Sequence, residues 1–187
     1  GDSIPSKACL HANSHALARY ASLCQENDLV PIVEPEVLMD GLHNIETCFS
    51  TTKKALNSLF EQLELLNVNL KGIVLKPNMV LSGKQSVEII DEIKISQMTF
   101  DVLKENVPRD VPGIAFLSGG QISDLAAKRL NKLNQMNPEK PWQLTFSYGR
   151  ALQEDALLQF SKGDKVESQN ALMKRAKMNS LASMGKM

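Results

Sequence analysis

Two kinds of apolar pattern alternate along this chain. From Lys7 to Asn27 the spacing is helical: Ala8, Ala12, Ala16 and Ala18 with Leu10, Leu17, Tyr20, Ala21 and Leu23 form a stripe, and Ser6 supplies an N-cap. Leu29 to Glu34 is a short continuous apolar run, the signature of a strand buried on both faces, and Pro35 ends it. Ala55, Leu56, Leu59, Phe60, Leu63 and Leu66 recur at three- to four-residue intervals and predict a second helix. Gly72 to Lys76 reads as a second buried strand, stopped by Pro77. A third helix is expected from about Ser86 to Asn106, with Ile89, Ile90, Ile93, Met98, Val102 and Leu103 facing inward. Pro108 and Pro112 punctuate the loop that follows.

The second half repeats the rhythm. Gly113 to Ser118 is a strand broken by Gly119 and Gly120. A helix from Ser123 to Asn134 presents Leu125, Ala126, Leu130 and Leu133 on one face. Gln143 to Ser147 is a strand broken by Gly149, and helices from Ala151 to Phe160 and from Val166 to Ser183 close the chain. The order is helix, then four strand–helix units, with successive strand ends about 30–40 residues apart. Such alternation predicts an α/β protein with a parallel sheet, because parallel neighbours need helical crossovers. Open doubly wound sheets and (β/α)8 barrels share the rhythm, and spacing alone does not separate them. No linker-like segment interrupts it, so residues 1–187 read as a single domain.

Composition changes the picture mainly by exclusion. Hydrophobic residues make up 43% and charged residues 22% of the 187, an ordinary globular mixture. Lysine plus arginine equals aspartate plus glutamate at 21 each, which gives no electrostatic argument for a nucleic-acid partner or an anionic membrane. No apolar run approaches the roughly 20 residues of a membrane span, and the Gly-Asp-Ser-Ile-Pro start lacks signal-peptide character. Cys9, Cys24 and Cys48 are odd in number and lack C-x-x-C spacing, so small buried or half-buried thiols in a reducing compartment are expected. His11 and His15 stand one helical turn apart, but no local carboxylate or cysteine completes a metal site, and none is expected.

The chemistry collects at the carboxyl ends of the strands, where βα proteins bind ligands. The first ends in Glu34 and Glu36, the second in Lys76, the third in Ser118-Gly119-Gly120 and the fourth in Ser147, Gly149 and Arg150. Lys76 precedes a proline, which biases it to extended geometry and keeps it on the strand. Partial desolvation at a buried strand end disfavours an ammonium and frees the amine to attack a carbonyl. The bland reading is an ordinary ion pair. One of Glu34 and Glu36 would enter the site as general acid and base, the other packing outward; the bland reading is two solvated carboxylates. The two glycine turns, one with Arg150, suit an oxyanion, since backbone amides can approach it and a helix N-terminus follows each. A lone Gly-Gly is more often a plain tight turn.

These segments are familiar. Leu29 to Glu36, Leu75 to Met79, Phe116 to Gln121 and Leu144 to Leu152, with the helical segments Leu17 to Ala21 and Lys174 to Ala182, resemble class I fructose-bisphosphate aldolase in family order. The resemblance implies a (β/α)8 TIM barrel, of which this chain covers about strands five to eight. It implies reversible cleavage of fructose 1,6-bisphosphate to dihydroxyacetone phosphate and glyceraldehyde 3-phosphate through a lysine imine, without metal or other cofactor. By the same resemblance Lys76 is the Schiff-base lysine, Glu34 the acid/base glutamate and Glu36 its companion. Ser118, Gly119, Gly120, Ser147, Gly149 and Arg150 match the segments that bind the ketone-end phosphate. A cytoplasmic homotetramer that also meets actin or other cytoskeletal proteins is the family expectation.

The sequence departs from the family in extent. The family's first-strand aspartate, its third- and fourth-strand lysines, its second phosphate region and its terminal tyrosine have no counterpart here, and the chain is expected to begin after the fourth strand. Two other readings stay open. One is a catalytically incomplete half-barrel that self-associates or binds proteins through its exposed sheet edges. The other, another imine-forming barrel such as transaldolase, is disfavoured by the four motifs.

Overall fold

A computed structural model describes residues 3–187. Helix α1 (Lys7–Glu26) leads into β1 (Ile32–Val33), α2 (Ile45–Leu65), β2 (Val74–Leu75), α3 (Glu92–Asn106) and β3 (Gly113–Phe116). Then come α4 (Ser123–Met136), β4 (Gln143–Phe146), α5 (Arg150–Ser161) and α6 (Lys165–Ser183). The four strands form one sheet in the order β1-β2-β3-β4, every pair parallel.

This order resolves the ambiguity left by the rhythm. Doubly wound sheets reverse direction at a switch point; here every strand steps the same way. Right-handed crossovers that always advance in one direction lay all their helices on one face. Accordingly α1 packs on α2, α2 on α3 and α3 on α4, with α5 and α6 against α4. The register records the two faces. Val33, Leu75, Ile114 and Leu144 form one row across the sheet and are all buried against the helices. The adjacent row is Ile32, Val74, Gly113 and Gln143, of which Ile32 is 47% exposed. The expectation of strands buried on both faces therefore holds for the helix side only. The other face is the one a closed barrel turns inward.

Several boundaries differ from the sequence reading. Helix α2 starts ten residues before Ala55, at Ile45, and buries Ile45, Cys48 and Thr52 in its first turns. Cys48 and Thr52 continue the stripe with small or polar side chains, and Asn44 caps the start by accepting from the Thr47 amide at 2.9 Å. Helix α3 starts later than Ser86, at Glu92, behind the N-cap Asp91. Val87 and Ile89 are each 98% exposed, and Ile93 is half exposed, so these three do not face inward. The segment is held as a loop because Glu88 is engaged elsewhere, accepting from the Ile45 amide at 3.0 Å and from Ser82 Oγ. In α1, Tyr20 and Leu23 are exposed; the stripe is wider than the face that Ala18 and Ala21 bury. Cys48 is buried and Cys24 half-buried, but Cys9 is exposed. Desolvation pushes the Cys48 thiol up from its usual range, so it stays protonated.

One buried side chain ties the last helix to two others. Arg175 on α6 is buried and reaches Asp124 on α4 at 2.6 Å and Asp155 on α5 at 2.6 Å. The hydrogen bond from Arg175, then its charge, holds the Asp124 carboxyl below the usual carboxylate range. A depressed carboxylate stabilises the fold above its unfolded value, about 4, and that stabilisation fades as pH falls through the lower folded value. Asp124 is more than half exposed, so screening keeps the effect small. In Arg175→Met the acid-side loss of stability attributable to Asp124 is expected to vanish. Urea unfolding between pH 3 and pH 6 would read it as a flatter slope; an unchanged slope counts against the ion pair.

Candidate active site

The ladder continues past the last strand residues and sets the rim in register. The Lys76 amide donates to the Val33 carbonyl at 2.7 Å, Leu117 to Pro77 at 3.1 Å and Ser147 to Phe116 at 2.9 Å. Glu34, Lys76, Ser118 and Ser147 thus arrive at one edge of the sheet, on consecutive strands. Side chains two residues apart on a strand share a face, so Glu34 and Lys76 follow Ile32 and Val74 onto the inward side. There Lys76 Nζ lies 3.0 Å from Glu34 Oε1, with the lysine side chain 20% exposed. The arrangement brings an amine and a proton acceptor into direct contact at a half-desolvated spot. Glu36 lies two residues on, so strand alternation would put it on the same side as Glu34 and gives no reason for it to pack outward; it is exposed and forms no ion pair among the described residues.

The loop after β1 is fixed by Asn78, to which the strand-end pattern assigns no role. This buried side chain accepts from the Val37 amide at 3.0 Å and donates to Thr52 Oγ1 and to the Met79 carbonyl, each at 3.1 Å. It ties the segment carrying Glu34 and Glu36 to the one carrying Lys76. Only its amide chemistry, one acceptor and two donors, serves all three partners. Its position one residue past Pro77 is the signal that sequence reasoning could have used.

The third and fourth strand ends form two turns. Ser118 is buried, and its carbonyl accepts from the Gln121 amide at 2.9 Å, closing a turn in which Gly119 and Gly120 have φ of +58° and +82°. Those backbone angles favour glycine. Helices α4 and α5 begin just beyond, behind the N-cap positions Ile122 and Gly149, without a side-chain cap, which leaves amide donors at the rim. Gly149 and Arg150 are exposed, Ser147 is half-buried, and a side chain on Gly149 would meet nothing. The turn after β4 is anchored from below: Tyr148 is buried and donates to the Ala126 carbonyl at 3.0 Å, and burial pushes its phenol far up, so it stays neutral.

His11 and His15 rings stack 6.2 Å apart, and His15 Nδ1 lies 3.1 Å from Gln62 Oε1. Among the described residues no three histidine, cysteine, aspartate or glutamate side chains gather into a metal site. No described helix is long and apolar enough to cross a membrane.

A singly wound parallel sheet with a polar rim at its carboxyl edge defines a segment of a (β/α)8 TIM barrel. The chain belongs to the class I fructose-bisphosphate aldolase family, whose family model, described as "Fructose-bisphosphate aldolase class-I", matches residues 1–187. It is 49% identical to a probable fructose-bisphosphate aldolase class 1 of Xanthomonas axonopodis pv. citri, over 100% of this chain and 56% of that protein. It is 45% identical to fructose-bisphosphate aldolase 6, cytosolic, of Arabidopsis thaliana, over 99% of this chain and 52% of the relative. Among solved structures, the fructose-bisphosphate aldolase of Plasmodium falciparum, in complex with TRAP and a small-molecule inhibitor, superposes with a TM-score of 0.93. That match covers 97% of this chain and 53% of the other, at 44% identity. The chain spans about half the length of the curated relatives it matches.

Removing the Asn78 amide takes the partner of the half-buried Val37 amide and leaves buried Thr52 with only the long contact to Cys48 Sγ. Asn78→Ala is expected to lower unfolding free energy by about 1–3 kcal/mol, read by urea denaturation. A change of only about 0.3 kcal/mol or less would mean the loop is fixed by something else.

Proposed function

We propose that this chain supplies the imine-forming half of a fructose-bisphosphate aldolase. The observation that carries the reading is the 3.0 Å contact between Lys76 Nζ and Glu34 Oε1 on the inward face of the sheet. An ammonium must lose a proton before it attacks a carbonyl, and Glu34 is close enough to take it. Lys76 then adds to C2 of the ketose. The carbinolamine takes a proton, loses water and becomes a protonated imine. That imine draws the electrons of the C3–C4 bond as the C4 hydroxyl proton leaves to a base, which releases glyceraldehyde 3-phosphate. Protonation of the enamine at C3 and hydrolysis of the imine release dihydroxyacetone phosphate and restore the amine. Glu34 serves as acid and base next to Lys76, with Glu36 as a second carboxylate on the same loop.

Ser118, Gly119, Gly120, Ser147, Gly149 and Arg150 hold the phosphate at the ketone end. Two uncapped helix starts beside a positive-φ glycine turn support that role. The route runs through the lysine imine and calls for no metal or organic cofactor. The cytosolic description of the Arabidopsis relative supports a cytoplasmic setting. Incubation with dihydroxyacetone phosphate followed by borohydride is expected to add a reduced adduct to Lys76, located by peptide mapping. An adduct formed equally in Lys76→Ala overturns the assignment.

A second reading concerns assembly. Strands β1 and β4 each have one unpaired edge among the described residues, and Ile32 on the inward face is half exposed. Unpaired parallel edges beside exposed apolar side chains favour association with a complementary half or a second copy. Sedimentation equilibrium is expected to give a mass above the 20.7 kDa of one chain. A monomer at concentrations of about 100 μM, well above ordinary micromolar affinities, removes this reading.

A further inference from the structure

Two cations converge on the Gly119–Gly120 turn, and the strand-end pattern named only one of them. A methyl group placed on Gly120 would lie 2.5 Å from Lys84 Nζ and 3.3 Å from Arg150 Nη2. The lysine ammonium therefore sits directly over the glycine α-carbon, with the guanidinium beside it. The φ of +82° favours glycine here, and a side chain would have to push the lysine tip aside.

Lys84 reaches this place by a fixed backbone. The Gly83 amide donates to the His43 carbonyl at 2.8 Å, Lys84 to Met39 at 2.7 Å and Gln85 to Gly41 at 3.1 Å. Gly83 is buried, and any side chain on it would run into the Gly41 carbonyl. The same loop returns to the turn from the other side: a methyl on Gly119 would lie 3.4 Å from Met39 Sδ. Lys84 thus projects from a splice between two loops, not from a free chain.

The charges around it are not balanced. Among the described residues Asp40 is the only carboxylate within ion-pair range of Lys84, at 3.9 Å, and its side chain is 72% exposed. Arg150 forms no ion pair among the described residues. Like charges this close repel unless an anion lies between them. A phosphate monoester fits the gap by charge, by its oxygens for guanidinium and ammonium, and by the backbone amides of a positive-φ turn.

We propose that Lys84 is a phosphate-binding residue, which with Arg150 and the Gly119–Gly120 turn grips the phosphate of the ketose phosphate held at Lys76. The proposal takes the identity of the phosphate ester from the aldolase reading; the anion site itself stands on Lys84 and Arg150.

Two measurements test it separately. Brief acetylation with and without inorganic phosphate, mapped by mass spectrometry, reads Lys84 in the unaltered protein. Saturating phosphate is expected to slow Lys84 acetylation severalfold, leaving Lys53 and Lys94 unchanged; no protection of Lys84 overturns the proposal. In Lys84→Gln, the concentration of dihydroxyacetone phosphate for half-maximal borohydride trapping is expected to rise about tenfold, as for one lost charge-assisted hydrogen bond. Trapping of unphosphorylated dihydroxyacetone is expected to stay as it was. Equal loss for both ketones, or for neither, counts against Lys84 as the phosphate ligand. If neither ketone is trapped by the unaltered protein, the imine reading fails, and phosphate protection still decides the role of Lys84.

Discussion

A parallel strand can follow another only after the chain has crossed back to the starting edge, and that constraint orders this molecule. Each return costs a helix, and right-handed crossovers put every helix on the same side while the strands step one way. Two consequences follow. The helix side of the sheet becomes the dry row of Val33, Leu75, Ile114 and Leu144. All four strands end at the same edge, so whatever residue follows each apolar run is delivered to one rim. The site is a by-product of the crossover rule: Lys76 and Glu34 need no long-range device to meet, only adjacent strands in register.

The rim itself is held by buried and half-buried polar groups. Asn78 satisfies the Val37 amide and Thr52. Glu88 accepts from the first helical amide of α2 and from Ser82, which keeps residues 83–91 out of a helix. Tyr148 hangs the loop after β4 from the backbone of α4. Because buried amides and hydroxyls are costly when unpaired, each contact fixes a loop in one position. Loops held this way can carry charged side chains to a shared point, as residues 83–85 carry Lys84.

The sequence made the strand rhythm legible because short apolar runs ending in proline or glycine have few other uses. The rim positions of Lys76, Glu34, Ser118, Gly119, Gly120, Ser147 and Arg150 were legible for the same reason, as residues that follow those runs. What stayed hidden depends on partners remote in sequence. The first turns of α2 bury Cys48 and Thr52, which hydrophobic periodicity undercounts. Val87, Ile89 and Ile93 continue an apolar spacing that Glu88 and the cap at Asp91 override. Lys84 follows no apolar run; only the splice to residues 39–43 and the missing side chain of Gly120 reveal its place.

The rim is electrically uneven, and on the proposed reading that unevenness orients the substrate. At Lys76 the amine already has its carboxylate at 3.0 Å, so the local charge is nearly balanced. At the Gly120 turn two cations face an exposed carboxylate at the outer limit of an ion pair. A ketose phosphate entering this rim meets its strongest field at the turn, and the dianion settles there first. The carbonyl, uncharged, then has only the neighbouring strand end within reach. Imine formation at Lys76 is favoured by proximity once the phosphate is fixed, since holding the reacting atoms together replaces a bimolecular encounter. An unphosphorylated ketone lacks that tether and must find the amine unaided, so the phosphate turn discriminates among ketones that the amine alone would treat alike.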